Sequence, residues 1–192
     1  MSGHLFAVKI LAISGSLRAV SINSAFLRAA ARIAPAGVVV EVFPSLGELP
    51  LFNPDLESSP PDSVVDFRSR VAEADALLIA TPEYAHGITG VMKNALDWLV
   101  SFEPFAYKPV SVVNTSPTAH HADAALREIL RTMSANLVGE ASATIPLLGS
   151  RLDEEGMVAA PWVVEAIQEV LRELCEAAKH PMISLGASFP LG

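Results

Sequence analysis

The chain has 192 residues, 51% hydrophobic and 18% charged, a balance that excludes a disordered protein and is long enough to bury a full core in one domain. Lys+Arg 13 against Asp+Glu 21 gives a net charge of −8. That sign repels nucleic-acid phosphate and excludes a general nucleic-acid role, while a local nest of backbone N–H groups can still hold one anionic cofactor. A single cysteine, Cys175, excludes a disulfide framework or a multi-cysteine zinc site within the chain. The apolar run at 6–13 contains Lys9 and is too short for a signal or a span, so no membrane segment and a cytoplasmic location are expected.

Strands and helices alternate along the chain. Residues 6–13 are apolar and rich in β-branched side chains and stop at Ser14-Gly15-Ser16, which predicts a buried first strand closed by a turn. A helix follows over 23–34, with Phe26, Leu27, Ala30 and Ile33 at helical spacing, ended by Pro35 and Gly37. Residues 38–43 form a second strand, and 44–61, with five prolines, a long surface connection. Asp62 is placed to cap a helix reaching about residue 74. The fully apolar run 76–80 has the pattern of a central parallel strand covered on both faces. Then come a helix over 90–99, a fourth strand over 109–113, a helix over 122–133, a fifth strand over 137–145, a loop over 147–156 and an amphipathic helix over 162–178. The tail 181–192 has no clear period.

Five strands alternating with helices predict a parallel sheet in a three-layer α/β domain spanning residues 1–192. Ligands of such sheets sit beyond the carboxyl ends of the strands, at the switch point. The loops to inspect are therefore 14–24, 81–90 and 114–121.

The first loop reads Ser14-Gly15-Ser16-Leu17-Arg18-Ala19-Val20-Ser21-Ile22-Asn23-Ser24. It joins a strand to a helix N-terminus and carries four serine hydroxyls, an amide, an arginine and a row of backbone N–H groups, the donor set of a phosphate monoester site. Gly15 is expected to permit a tight turn. No Gly-Lys-Ser/Thr follows, so it is not a P-loop, and it lacks the G-x-G-x-x-G dinucleotide pattern. The second loop, Thr81-Pro82-Glu83-Tyr84-Ala85-His86-Gly87, offers a rigid exit from strand three and an aromatic ring for a flat ligand, with Gly87 allowing close backbone approach. A phospho-acceptor of the response-regulator type needs Asp at this strand end, where Ile79-Ala80-Thr81 stands instead.

Together these loops resemble the NADPH-dependent FMN reductase family, which includes quinone, azo-dye and chromate reductases. The resemblance is carried by Gly15-Ser16-Leu17-Arg18, Ser21, Asn23, Pro82-Glu83-Tyr84 and Lys93-Asn94-Ala95-Leu96-Asp97-Trp98, over most of residues 9–137. It implies a flavodoxin-like fold with strand order 2-1-3-4-5, noncovalent FMN, NADPH or NADH as reductant, and a small-molecule electron acceptor. By the same resemblance Ser14, Ser16, Arg18, Ser21, Asn23 and Ser24 surround the FMN phosphate. Pro82, Glu83 and Tyr84, with Ala85, His86 and Gly87, line the isoalloxazine, and Ser116 and Pro117 close the site from strand four. It further implies a homodimer or homotetramer, with Trp98, Leu99, Phe102 and Phe105 giving apolar area at the interface; the alternative for these four is the intrachain core. Two departures stand out: Ala85 occupies a place where many relatives carry Asn, and the loop Ser116-Pro117-Thr118-Ala119-His120-His121 has no glycine.

The flavin carries the redox chemistry, so no catalytic side chain is required. A G-x-S-x-G elbow is absent. His120 and His121, adjacent at a helix start, diverge by ~100° and do not suit one metal. The competing reading is a flavodoxin-type electron carrier that docks protein partners without oxidising NADPH. The acidic net charge suits the carrier, and the Pro82-Glu83-Tyr84 loop favours the enzyme.

Overall fold

A computed structural model describes residues 7–139 and 144–180. Its strands are β1 (Val8–Ser14), β2 (Val38–Val42), β3 (Ala76–Ala80), β4 (Pro109–Val113) and β5 (Asn136–Leu137), all parallel, in the order β2-β1-β3-β4-β5. The helices are α1 (Ile22–Arg32), α2 (Asp62–Glu73), α3 (Gly90–Asp97), α4 (His120–Thr132), α5 (Glu154–Ala159) and α6 (Pro161–Lys179). This is the flavodoxin-like arrangement expected from the alternation of elements.

The central strands are apolar throughout because both of their faces are covered. Ile10, Ala12 and Leu78 pack with Phe26 of α1 and with Ile167, Leu171 and Leu174 of α6. The alternate residues Leu11, Ile13, Leu77 and Ile79 pack with Phe67 of α2, Met92 and Leu96 of α3 and Leu126 and Leu130 of α4. In the sheet register Ser14 lies beside Ala80 and Ala80 beside Val113. The carboxyl ends of β1, β3 and β4 therefore finish level and present their loops on one edge.

Several boundaries differ from the sequence reading. The first strand starts at Val8 and runs through Ser14, and residues 1–6 lie outside the described residues, as do 140–143 and 181–192, the last of which holds the predicted tail. Of the predicted fifth strand over 137–145, residues 140–143 lie outside the described residues. Asn136 and Leu137 pair with Pro109 and Val110, Gly139 has a positive φ of 81°, and Thr144 bridges Asn114. The predicted loop over 147–156 contains the start of a helix: Asp153 caps α5 by accepting from the Gly156 N–H at 2.9 Å, and Glu154 and Glu155 favour its positive end. Gly156, a poor helix former, masked that signal.

The aromatic residues expected at a subunit interface belong to the core. Trp98, Leu99 and Phe105 are fully buried, and Phe102 packs on the same cluster. Trp98 donates its indole N–H to the Pro50 carbonyl at 2.8 Å and meets Phe52 edge-on at 5.0 Å. Asn94, one turn earlier, donates to the same carbonyl at 2.9 Å and accepts from the Phe52 N–H at 2.8 Å. The Asn-Ala-Leu-Asp-Trp run thus fastens the proline-rich connection onto α3, since one helix turn puts both side chains on one face.

Candidate flavin site

A cleft of about 300 Å³ opens at the level strand ends. Its walls are Ser16, Arg18, Ser21 and Asn23 from the first loop, Pro82, Glu83 and Tyr84 from the second, and Ser116 from the third. The fold brings these eight predicted residues together from three separate parts of the chain. Thr81, Thr115, Thr118 and Ala119, from the loops singled out in the sequence but not named individually as site residues, also line it, as does Leu148. Leu148 lies outside those loops, because only tertiary folding carries the segment after residue 144 to this edge.

The first loop is shaped by its own hydroxyls. Ser21 caps α1, its Oγ accepting from the Ser24 N–H at 3.2 Å. Ser14 and Ser24 share a 2.7 Å hydrogen bond and face a neighbouring cavity lined also by Leu17 and Arg28. This bond ties the end of β1 to the first turn of α1, and neither serine is among the residues that line the cleft. Asn23, almost fully buried, accepts from the Thr115 hydroxyl at 2.9 Å and so joins α1 to the end of β4. No acidic residue stands in the first turn of α1, leaving its positive end free for an anion.

Gly15 has a different role from the one expected. Its φ is not positive, so no special turn requires it. A Cβ there would instead lie 2.7 Å from the Thr81 Cβ and closer still to the Thr81 Oγ1. Gly15 lets β1 and β3 leave the sheet side by side. At Gly87, by contrast, an added Cβ would meet only the Tyr84 carbonyl at 3.8 Å, so close approach to neighbouring protein atoms is not what calls for glycine.

Tyr84, Ala85, His86 and Gly87 form a tight hairpin, with Tyr84 and Gly87 exchanging backbone hydrogen bonds of 3.0 Å. Ala85 and His86 at its tip have φ of 49° and 59°, the pattern of a turn that ordinarily selects Asn or Gly. Ala85, His86 and Pro117 are exposed and are not among the residues that line the cleft. Ala85→Asn is expected to stabilise the protein by about 0.5–1 kcal/mol, raising the melting midpoint by ~1–4 °C in a thermal scan; an unchanged or lower midpoint refutes this account of the turn.

Glu83 does more than line the cleft. Its carboxylate accepts from the Ala122 N–H at 2.9 Å and caps α4, whose own N-cap residue Ala119 makes no side-chain cap bond. The Ala122 N–H, then that of His121, and the nearby imidazoles hold the Glu83 carboxyl below its ordinary range, against the opposing effect of burial. His86 stacks on His121 with centroids 4.2 Å apart and planes 24° off parallel, joining the same two loops a second time. A carboxyl with a lowered folded-state pKa stabilises fully above its unfolded value, ~4.3, and loses that contribution as pH falls through the lower folded value. The Glu83–Ala122 tie is therefore expected to release only as pH falls below the ordinary carboxylate range. The Ala122 amide resonance should follow this acid transition, and in Glu83→Gln it should not.

The described residues contain no helix long and apolar enough to cross a membrane. The hydroxyl-rich wall, Arg18 and the free end of α1 suit a phosphate monoester, and the half-exposed Tyr84 gives a flat face beside it.

The chain is similar to known flavin and quinone reductases. The NAD(P)H-dependent FMN reductase of Pseudomonas aeruginosa is 36% identical over 174 residues, covering 87% of this chain and 93% of that protein. The 2-hydroxy-1,4-benzoquinone reductase of a Burkholderia species is 34% identical over 160 residues, 79% of this chain and 86% of that one. Among solved structures, the flavoenzyme NAD(P)H:(acceptor) oxidoreductase FerB of Paracoccus denitrificans superposes with a TM-score of 0.79 at 24% identity over 91% of this chain and 99% of its own, which speaks for the fold. The sequence profile of the NADPH-dependent FMN reductases matches residues 8–147. Fold, strand-end loops and sequence thus converge, and the chain belongs to the NADPH-dependent FMN reductase family.

Proposed function

We propose that FMN lies along the cleft, its phosphate among Ser16, Arg18, Ser21 and Asn23 at the start of α1 and its ring against Pro82, Glu83 and Tyr84, with Ser116 on the facing wall. The chain is an oxidoreductase, an NAD(P)H-dependent reductase of the flavin and quinone class with FMN as cofactor and a small molecule as acceptor. Bound FMN supplies hydride acceptance from the nicotinamide and electron transfer to the acceptor. The protein's part is to bind, orient and leave one face of the ring open. The observation that carries this placement is the convergence of neutral hydroxyl donors, one arginine and a helix N-terminus with no acidic residue in its first turn on one side of the cleft, with an aromatic side chain on the other.

Ser14 and Ser24 act from behind, holding the phosphate loop on α1. Ala85, His86, Gly87 and Pro117 shape the rim. A homodimer or homotetramer belongs to this reading, and its contact is drawn from exposed apolar side chains such as Leu51 and Val100 in place of the buried Trp98. A cytoplasmic location fits a reductant drawn from the cell's nucleotide pool.

Anaerobic NADPH added to the protein with one equivalent of FMN is expected to bleach the flavin's visible absorbance much faster than with free FMN. A spectral shift on FMN addition without bleaching would make the protein a carrier; no shift would remove FMN from the cleft.

A further inference from the structure

The chain has nine arginines. Seven of them, Arg28, Arg32, Arg68, Arg70, Arg127, Arg131 and Arg172, are engaged by carboxylates. Arg18 and Arg151 have no carboxylate partner among the described residues. Both line a second groove of about 590 Å³, within the size range of small-ligand sites. This groove shares Arg18, Ser21, Ile22 and Leu148 with the flavin cleft and so continues from it.

The carboxylates nearby are already occupied. Glu154 is bonded to Arg28 at 2.6 Å, Glu155 to Arg32 at 2.5 Å, and Asp153 caps α5. None of them is assigned to Arg151, which leaves its guanidinium for an anion from outside the chain. Arg151 also sits at a φ of 60°, in the left-handed region, two residues after Gly149 at 91°. A long side chain is a costly choice where Gly or Asn is ordinarily found, and such outliers gather where a side chain serves a ligand. Val20, Ile22, Leu148 and Leu152 line the same groove with apolar area suited to a flat base.

We propose that Arg151 receives the 2′-phosphate of NADPH while Arg18, at the shared boundary, stays with the FMN phosphate, the adenine lying on the groove's apolar residues, so that this groove sets the preference for NADPH over NADH. The inference rests on the reductase reading above. A guanidinium binds a phosphate dianion through paired, charge-assisted hydrogen bonds. NADH has only a hydroxyl at that position and gains nothing from Arg151.

The test uses Arg151→Ala and Arg151→Gly, the second of which suits the left-handed backbone and guards against misfolding. In the FMN-loaded protein each is expected to lower the ratio of kcat/KM for NADPH to that for NADH by about 10- to 100-fold, with Arg151→Lys recovering part of it. Calorimetric titration supplies a readout independent of turnover: adenosine 2′,5′-bisphosphate should bind the wild type more tightly than AMP, and this difference should vanish in both variants. An unchanged ratio, or an equal fall for both nucleotides, overturns the proposal. A selective loss of FMN affinity in the apoprotein also overturns it, assigning the groove to the flavin phosphate. Bisphosphate preference without nicotinamide oxidation would overturn the reductase reading and leave the site standing.

Discussion

Gly15→Ala is expected to cost about 3–4 kcal/mol of folding free energy and to remove FMN binding. The added methyl would meet the Thr81 Cβ at 2.7 Å, an atom that no side-chain rotation can move aside. The damage spreads because three elements meet here. The Gly15 N–H donates to the Ala80 carbonyl at 2.9 Å, and the Gly15 carbonyl accepts from the Thr89 hydroxyl at 2.7 Å. Thr89 in turn caps α3 through the Met92 N–H at 3.3 Å. Moving the β1 exit therefore disturbs the sheet, a helix cap and the phosphate loop together. Urea denaturation should show a lower midpoint with the slope unchanged. The double change with Thr81→Ala should recover part of the loss, because it removes the Oγ1 contact and keeps the one to Cβ. Full stability in Gly15→Ala alone would refute the close-approach account.

Trp98→Ala is expected to cost about 3–5 kcal/mol, the range for emptying a large aromatic site. The side chain is wholly buried, holds Pro50 through its indole N–H, packs against Phe52 and lies 5.7 Å from the Arg68 guanidinium. Arg68 also donates to the Trp98 carbonyl at 2.7 and 2.9 Å. Truncation leaves a cavity and frees the proline-rich connection from α3. The loss should be the same in dilute and concentrated protein; a residue that stabilised through a subunit contact would cost more on dilution. A concentration-dependent loss would return Trp98 to the interface. Trp98→Phe keeps much of the volume but loses the hydrogen bond to Pro50, and should fall between the two.

Much of the fold was legible because each central strand carries its instructions locally. The run Ala76–Ala80 has no polar face, so it had to be covered on both sides, and its neighbours alternate with amphipathic helices. The strand-end rule points to the edge where the cleft opens. The Ser14–Ser24 bond was not legible, because a serine at a strand end looks the same in sequence whether its hydroxyl meets a ligand or another serine. The tight hairpin at Ala85 and His86 was not legible either, because neither residue is one that a positive φ ordinarily selects.

Fold class and family were written in the chain itself, since periodicity, turn chemistry and short motifs are properties of neighbouring residues. Only the folded molecule shows that Trp98 belongs to the core, that Glu83 caps a helix from another loop, and that Gly15 is required by Thr81. It also brought Arg151 into the groove that Arg18 borders. Each of these depends on which atoms, distant along the chain, the parallel sheet brings within contact range, and such distances are set by packing rather than by local preference.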